Sequence, residues 1–178
     1  MKEFLQLSNW IGSDWYLCQA TGGNTSIQTS KKIYIKASGK KLSDSLKKTN
    51  NTFTFLENTK STLKPSMEYG MHTALDSKYV VHYHSINAIL CTILRRSKEI
   101  LNHLEKKHIK SIVLDYVEPG DKLSELLSKN LSKLQFKPEA IILNNHGIVI
   151  ANKNIKRIYE IIFIIENISS QILLELDI

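Results

Sequence analysis

Cysteine is scarce in this chain of 178 residues: Cys18 and Cys91 are the only two, far apart in sequence and in apolar surroundings. Two such residues make no disulfide framework and read as small buried hydrophobes of a reducing, cytoplasmic setting. The N-terminus lacks a charged start followed by an apolar stretch, so no secretory signal is expected. Long apolar runs are also missing. The strongest, Ile158 to Ile165, contains Glu160, is followed by Glu166, and is too short to span a bilayer, so no membrane association is expected. Acidic residues are outnumbered, 17 against 24 basic ones, which leaves 24 − 17 = +7 and a pI near 9.3. That excess suits an anionic ligand and would also suit nucleic acid. The lysines are scattered, however, through Lys31-Lys32, Lys40-Lys41, Lys47-Lys48, Lys106-Lys107 and Lys153, with no long basic block. No zinc-finger, RNA-recognition or helix-turn-helix signature accompanies them, so a lysine-rich surface without nucleic acid is the expectation. No repeat, low-complexity segment or linker divides the chain. Residues 1–178 are read as one globular domain, because 42% hydrophobic and 23% charged residues exclude disorder.

Periodicity places the elements. Phe4, Leu5, Leu7, Trp10 and Ile11 predict an N-terminal amphipathic helix. Gly22-Gly23-Asn24-Thr25-Ser26 reads as a turn, and Ile33 to Lys36 as a strand that makes a hairpin with it. The polar stretch 47–64 holds one small strand around Thr52 to Leu56, and Ser66 is expected to cap a helix from Met67 to Leu75. Strands follow at Val80 to His84, Ile112 to Val117, Ala140 to Asn145 and Ile148 to Ala151. Helices fill Ile86 to Leu94, Lys98 to Lys107, Asp121 to Leu134 and the segment after Asn154 to Leu174. This irregular alternation with tight turns predicts an α/β fold with a mixed, partly antiparallel sheet covered by helices. Ile155, Ile158, Ile161, Ile162, Ile164, Ile165 and Ile168 spread around too much of the last helix for one buried stripe. Either a second subunit covers part of that helix or its own domain buries it.

Histidine carries the chemistry. In Val80-Val81-His82-Tyr83-His84 the two histidines point to the same face of a strand while Tyr83 points away. A third, His146, follows the apolar run 141–143 in Asn144-Asn145-His146-Gly147. Three neutral imidazoles with a coordination position left open form a ligand set for a catalytic zinc or a similar divalent ion. Alone, a His-x-His pair is more often satisfied by hydrogen bonds than by metal. Glu68 sits in the first turn of its helix, where the dipole favours the carboxylate with or without a function; beside a metal it is also an acid/base group for a carbon next to a carbonyl. Position alone does not decide. His72 shares the helix face of Glu68 and is given a structural role, while His103 and His108 fall in a Lys/Glu-rich, solvated segment. The turns 22–26 and 38–41, with the Ser66 hydroxyl, are small-residue elements able to bind a phosphate or carboxylate, though none is a Walker A loop or dinucleotide fingerprint.

The ordered motifs Gly23-Asn24-Thr25-Ser26, Ala37-Ser38-Gly39, Pro65-Ser66-Met67-Glu68, His82-Tyr83-His84 and Asn145-His146-Gly147 resemble the class II aldolase/adducin family, with family-like spacing from about Gln19 to Val149. The resemblance implies a three-layer α/β/α domain with a mostly antiparallel central sheet. It implies one zinc ion (Zn2+) at His82, His84 and His146, and Glu68 as catalytic acid/base. Asn24, Ser38, Gly39 and Ser66 match positions that hold the substrate phosphate in the aldolases. Tyr116 matches a tyrosine that reaches into a neighbouring subunit's site of a homotetramer and protonates the aldehyde oxygen. The implied activity is retro-aldol cleavage of a small ketose phosphate through an enediolate. Epimerisation, dehydration or decarboxylation on the same scaffold, and an adducin-like binding module, are the alternatives. Two features depart from the pattern: Met67 stands where the aldolases commonly carry a second phosphate-binding serine, and longer relatives continue past the last helix with residues that help cover the site.

Overall fold

The computed structural model describes residues 1–30, 32–56 and 62–176; residues 57–61 of the expected polar stretch 47–64 lie outside them. Helix α1 (Lys2–Ser13) leads into the hairpin β1 (Asn24–Gln28) and β2 (Ile33–Lys36), then α2 (Thr49–Thr52), β3 (Phe53–Phe55), α3 (Tyr69–Leu75) and β4 (Tyr79–Tyr83). Helices α4 (Ile86–Ile93) and α5 (Ser97–Lys106), strand β5 (Ser111–Leu114), helix α6 (Asp121–Leu131), strands β6 (Ala140–Leu143) and β7 (Gly147–Asn152) and helix α7 (Ile155–Leu174) follow. The strands form one sheet in the order β3-β2-β1-β4-β7-β6-β5, antiparallel at every pairing except β5 with β6.

Strand alternation sorts the core into two halves. Val81, Tyr83, Ile142, Ile148 and Ile150 pack on one face with residues of α1, α4, α5 and α7. Val80, Ile141, Leu143, Val149 and Ala151 pack on the other, against Met71 and Leu75 of α3 and Leu123 and Leu127 of α6. The result is the helix–sheet–helix layering expected of the fold. Strands β4 and β6 are buried along their whole length, as strands covered on both faces must be.

Helix α7, about 30 Å long at 1.5 Å per residue, starts where Asn154 accepts a hydrogen bond from the Lys156 amide at 3.0 Å. Its residues Ile155, Ile158, Ile161, Ile162, Ile165, Ile168 and Ile172 are buried within the chain, and Ile164 packs half-buried at the edge of the same core. The broad apolar arc is therefore covered by α1, α4, α5 and the sheet, the second of the two readings left open by the sequence. No helix among the described residues is long and apolar enough to cross a membrane.

Two boundaries differ from the expectation. Asn24, Thr25 and Ser26 belong to β1, because the turn lies before them: the Gly22 N–H bonds the Gln19 carbonyl at 2.9 Å, and Ala20 has φ +51°. Gly23 has φ +57°, and a Cβ there would lie 2.8 Å from the His82 carbonyl oxygen. Helix α3 starts at Tyr69, two residues late, after a turn in which the Glu68 N–H reaches Ser66 Oγ at 3.4 Å, as expected of a capping serine, and the Tyr69 N–H bonds the Ser66 carbonyl at 3.0 Å. The Ser66 N–H itself is tied to the Lys36 carbonyl beside the Ala37–Pro65 bridge.

Candidate metal centre

The register of the sheet assembles the site. Asn24 on β1 lies opposite His82 on β4, and His82 lies opposite Val149 on β7, two residues beyond Gly147. His84 follows the end of β4 and keeps the face of His82, while the buried Tyr83 points into the opposite half of the core. Between β6 and β7 the turn 144–146 brings His146 to the same place. That turn is tied from behind: the Asn145 N–H donates to Thr92 Oγ1 at 2.9 Å, and Asn144 is bonded to Ser97 and Asp115. Gly147 is required here by close approach, since a Cβ would meet the Tyr83 carbonyl at 2.5 Å and the His82 and His84 rings at 3.2 Å.

The three imidazoles offer nitrogens that all lie within 4.8 Å of one another. His82 Nδ1–H donates to the Ile148 carbonyl at 3.0 Å, which fixes its tautomer and leaves the Nε2 lone pair facing His84 Nε2 at 3.0 Å. Burial, then the neighbouring imidazoles, lowers the His84 pKa to about 3; burial lowers that of His82 to about 4 despite the opposing pull of Glu68. Both rings are thus neutral at pH 7, as metal ligation demands. Glu68 places Oε1 3.3 Å from His146 Nε2 and Oε2 3.5 Å from His82 Nε2. A tetrahedral zinc with bonds of about 2.1 Å has ligand–ligand edges of about 3.4 Å, and the 3.0 Å between His82 Nε2 and His84 Nε2 is of that order. The donor set fits a divalent ion.

Burial alone would raise the Glu68 pKa, but the His82 and His146 imidazoles and the Asn24 amide outweigh it and hold the carboxyl well below the usual carboxylate range. Asn24 Nδ2 donates to Glu68 Oε2 at 2.8 Å. Asn24 is held in turn by His72, whose Nε2 bonds Asn24 Oδ1 and whose Nδ1 bonds Ser26 Oγ at 2.7 Å. His72 therefore has a specific place beside Glu68 as well as the structural role expected of it.

A cleft of about 300 Å³ opens over this group, at the small end for ligand sites. Asn24, Ser38, Gly39, Ser66, Glu68, His84 and His146 line it, with His82 buried beneath. The Ala37–Pro65 bridge sets the Ser38 and Ser66 turns side by side. Their own amides are committed, Ser38 N–H to the Lys64 carbonyl and Ser66 N–H to the Lys36 carbonyl, both at 2.9 Å, so the serines can offer an anion their hydroxyls. Met67 is 63% exposed at the rim beside Pro119. Tyr116 is 54% exposed on the loop between β5 and α6 and does not line the cleft; that loop meets the site through Pro119.

Lys36 is a site residue that the sequence reading passed over. It is 3% exposed, lines the cleft, and donates from Nζ to the Thr21 and Lys40 carbonyls at 2.7 and 2.8 Å. Burial brings its pKa down to about 8, with Cys18 and Glu68 pulling the other way. An ammonium has three donors, and the partners of this one among the described residues are carbonyls. The available signal was a lysine inside the alternating strand 33–36, directly before Ala37-Ser38-Gly39.

Comparison with known proteins decides the family. The profile of the class II aldolase and adducin N-terminal domain matches residues 2–173. The chain belongs to the class II aldolase and adducin family. An L-fuculose phosphate aldolase of Methanocaldococcus jannaschii is 27% identical, over 98% of this chain and 96% of its own length. A methylthioribulose-1-phosphate dehydratase of Yersinia enterocolitica is also 27% identical, over 83% of this chain and 79% of its own. Among solved structures, the sugar-phosphate aldolase of Thermotoga maritima superposes with a TM-score of 0.80 at 18% identity, covering 99% of this chain and 94% of that one. The last similarity is one of fold, and it matches the three-layer architecture with its mostly antiparallel sheet.

Proposed function

We propose that this family member is a zinc-dependent lyase that cleaves a small ketose phosphate by a reversible retro-aldol reaction. The observation that carries the reading is the carboxylate of Glu68, 3.3 and 3.5 Å from nitrogens of two of the three clustered imidazoles. His82, His84 and His146 would hold one Zn2+ per subunit, and the ion would supply Lewis acidity toward a substrate carbonyl oxygen. Glu68 moves the proton. When the carbon–carbon bond breaks, the departing carbon gives up its hydroxyl proton as the aldehyde forms, and the electron pair passes into an enediolate of the substrate. Glu68 in its protonated form delivers a proton to that carbon; in the reverse direction the carboxylate removes it. Lys36 and the Ser38 and Ser66 hydroxyls, all lining the cleft, would receive the anionic group, with the Gly39 turn and Asn24 beside them. Tyr116, exposed in its own subunit, would serve a neighbour's site in a homotetramer and protonate the aldehyde oxygen in the condensation direction. The chain is read as a soluble cytoplasmic enzyme that needs neither nucleic acid nor membrane.

A second reading has its own support. Met67 leaves one serine fewer at the anion site, and one relative is named a dehydratase, so dehydration, 4-epimerisation or decarboxylation of a 3-oxo sugar-acid phosphate uses the same groups. An adducin-like module would need no three-imidazole cluster beside a carboxylate.

The test is elemental analysis of protein purified without chelator, followed by NMR of a panel of ketose phosphates and sugar-acid phosphates with and without zinc. About one equivalent of metal and zinc-dependent cleavage are expected. Inversion, water loss or carbon dioxide release would transfer the assignment to the second reading, and less than about a tenth of an equivalent, unrestored by added zinc, would remove the metal. Light scattering that shows a monomer at micromolar concentration would end the role of Tyr116 in trans.

A further inference from the structure

Three hydrogen bonds run in series from the sheet to the carboxylate: Ser26 Oγ to His72 Nδ1 at 2.7 Å, His72 Nε2 to Asn24 Oδ1, and Asn24 Nδ2 to Glu68 Oε2 at 2.8 Å. Their direction follows from the carboxylate end. An ionised carboxylate is an acceptor only, so Asn24 must present its NH2 group to Glu68; the reversed amide would set two acceptor oxygens against each other. Asn24 Oδ1 then faces His72 and requires a donor, which makes His72 the Nε2–H tautomer. His72 Nδ1 is left as an acceptor and takes the Ser26 hydroxyl proton. Each group in the series donates toward Glu68. His72 is 1% exposed on the sheet-facing side of α3, and burial keeps the ring neutral, with a pKa lowered to about 4.

The two Glu68 oxygens are consequently unlike. Oε2 accepts a hydrogen bond from an amide that cannot turn away without breaking the His72 bond. Oε1 is buried, has no amide or hydroxyl donor among the described residues, and has His146 Nε2 as its neighbour at 3.3 Å. A carboxylate oxygen held by a donor is the less basic of its pair, because the bond favours its anionic form.

We propose that His72 is a positioning residue which, through Asn24, fixes Oε2 of Glu68 as a permanent acceptor and makes Oε1 the oxygen that carries the proton. The proton leaves the substrate carbon for Oε1, and the electron pair of the broken carbon–hydrogen bond stays on the substrate as the enediolate. The catalytic consequence rests on Glu68 being the acid/base of the proposed lyase; the tautomer and the amide orientation do not.

Two measurements on the zinc-loaded full chain separate these parts. Long-range 1H–15N correlation spectra report the His72 ring: a neutral Nε2–H tautomer from pH 8 to 5 is expected, and an Nδ1–H or doubly protonated ring overturns the proposal. Solvent exchange of the Asn24 side-chain amide, assigned by its loss in Asn24→Ala, should be slow in the parent and in His72→Gln and fast in His72→Leu, since a glutamine amide can offer both a donor and an acceptor. Unchanged exchange in His72→Leu also overturns it. If His72→Leu fails to fold, the tautomer in the parent protein and a partial loss of amide protection in Ser26→Ala decide. Catalysis is read by incorporation of deuterium from D2O into dihydroxyacetone phosphate. His72→Leu should slow it by up to about 10²-fold, the cost of misplacing a catalytic group by about 1 Å, with zinc content unchanged and His72→Gln restoring most of the rate. Full exchange in His72→Leu rejects the positioning role. No deuterium incorporation by the parent, beside the expected spectra, instead sinks the lyase reading and leaves the orientation of Glu68 standing.

Discussion

Two carboxylates flank strand β4, and they behave in opposite ways. On the α3 side Glu68 meets His82, His146 and the Asn24 amide, and its pKa falls well below the carboxylate range despite burial. On the α7 side burial pushes the Glu166 carboxyl up to about 7; the Ser85 hydroxyl, 2.9 Å away, and Tyr83 offset this only in part, and the charge of Asp14 adds to it. Burial acts in the same direction on both, so the difference comes from the neighbours. One half of the core spends polar side chains on keeping a carboxylate charged; the other gives its carboxyl hydroxyls without a nearby cation and leaves it ready to take a proton. A single strand serves both halves, with His82 and His84 facing one and Tyr83 the other.

The contrast breaks most completely at the imidazoles. His82→Ala removes a fully buried ligand from the cluster, and metal content is expected to fall from about one equivalent to below a tenth, with turnover lost. Elemental analysis checks this, and retention of a full equivalent would show that the cluster is not the metal site. Glu68→Gln should be the next largest change: the shape and the Asn24 contact survive, so metal stays bound while turnover drops about 10²- to 10⁴-fold, the range of general acid–base catalysis. Unchanged turnover would take the proton-transfer role from Glu68.

On the apolar side the same size of perturbation should touch stability and leave the site alone. Ile161 is fully buried on α7 in the larger half of the core. Ile161→Ala should cost about 2–5 kcal/mol, the usual range for emptying such a position, with the metal content of the folded fraction unchanged. Denaturant unfolding measures the first quantity and elemental analysis of the refolded protein the second. Loss of metal without loss of stability would mean that the two halves are coupled more tightly than their separate packing implies.

How far the sequence reaches follows the same division. Features set by local period were legible: His82 and His84 on one face, the Asn154 cap, the long last helix, and the His146-Gly147 turn. Features set by register between distant segments were not. Asn24 joins the site because β1 pairs with β4, and His72 reaches Ser26 across 46 positions of sequence. Ser66 accepts the Glu68 N–H as a cap would, yet the helix waits until Tyr69, next to the Ala37–Pro65 bridge, a contact between segments far apart in the chain. Lys36 was hidden because an alternating strand gives a lysine an outward reading by default, while here the hairpin carries its ammonium back to the Thr21 and Lys40 carbonyls. The family motifs located the clustered residues well; Tyr116 alone stands apart from them in the described chain.

The smallest effect sharpens the comparison on the Glu166 side. An acid whose folded pKa is raised, here to about 7, binds its proton more tightly in the folded than in the unfolded chain, where an ordinary glutamate titrates near 4.3. Its favourable contribution is complete below the unfolded value and is lost as pH rises through 7, because the ionised form must then stay in a site that offers it little more than the Ser85 and Tyr83 hydroxyls. Glu166→Gln keeps the shape and a polar partner for Ser85 but has nothing to titrate. Thermal melts of the parent and the variant between pH 5 and 8 should therefore diverge, with the parent losing more Tm toward pH 8. Groups that titrate alike in both proteins cancel in the difference, including His72, His82 and His84, whose lowered pKa values act on the acid side of neutrality. Parallel Tm profiles would show that the Glu166 carboxyl is already ionised across this range, and the asymmetry between the two sides of β4 would reduce to Glu68 alone.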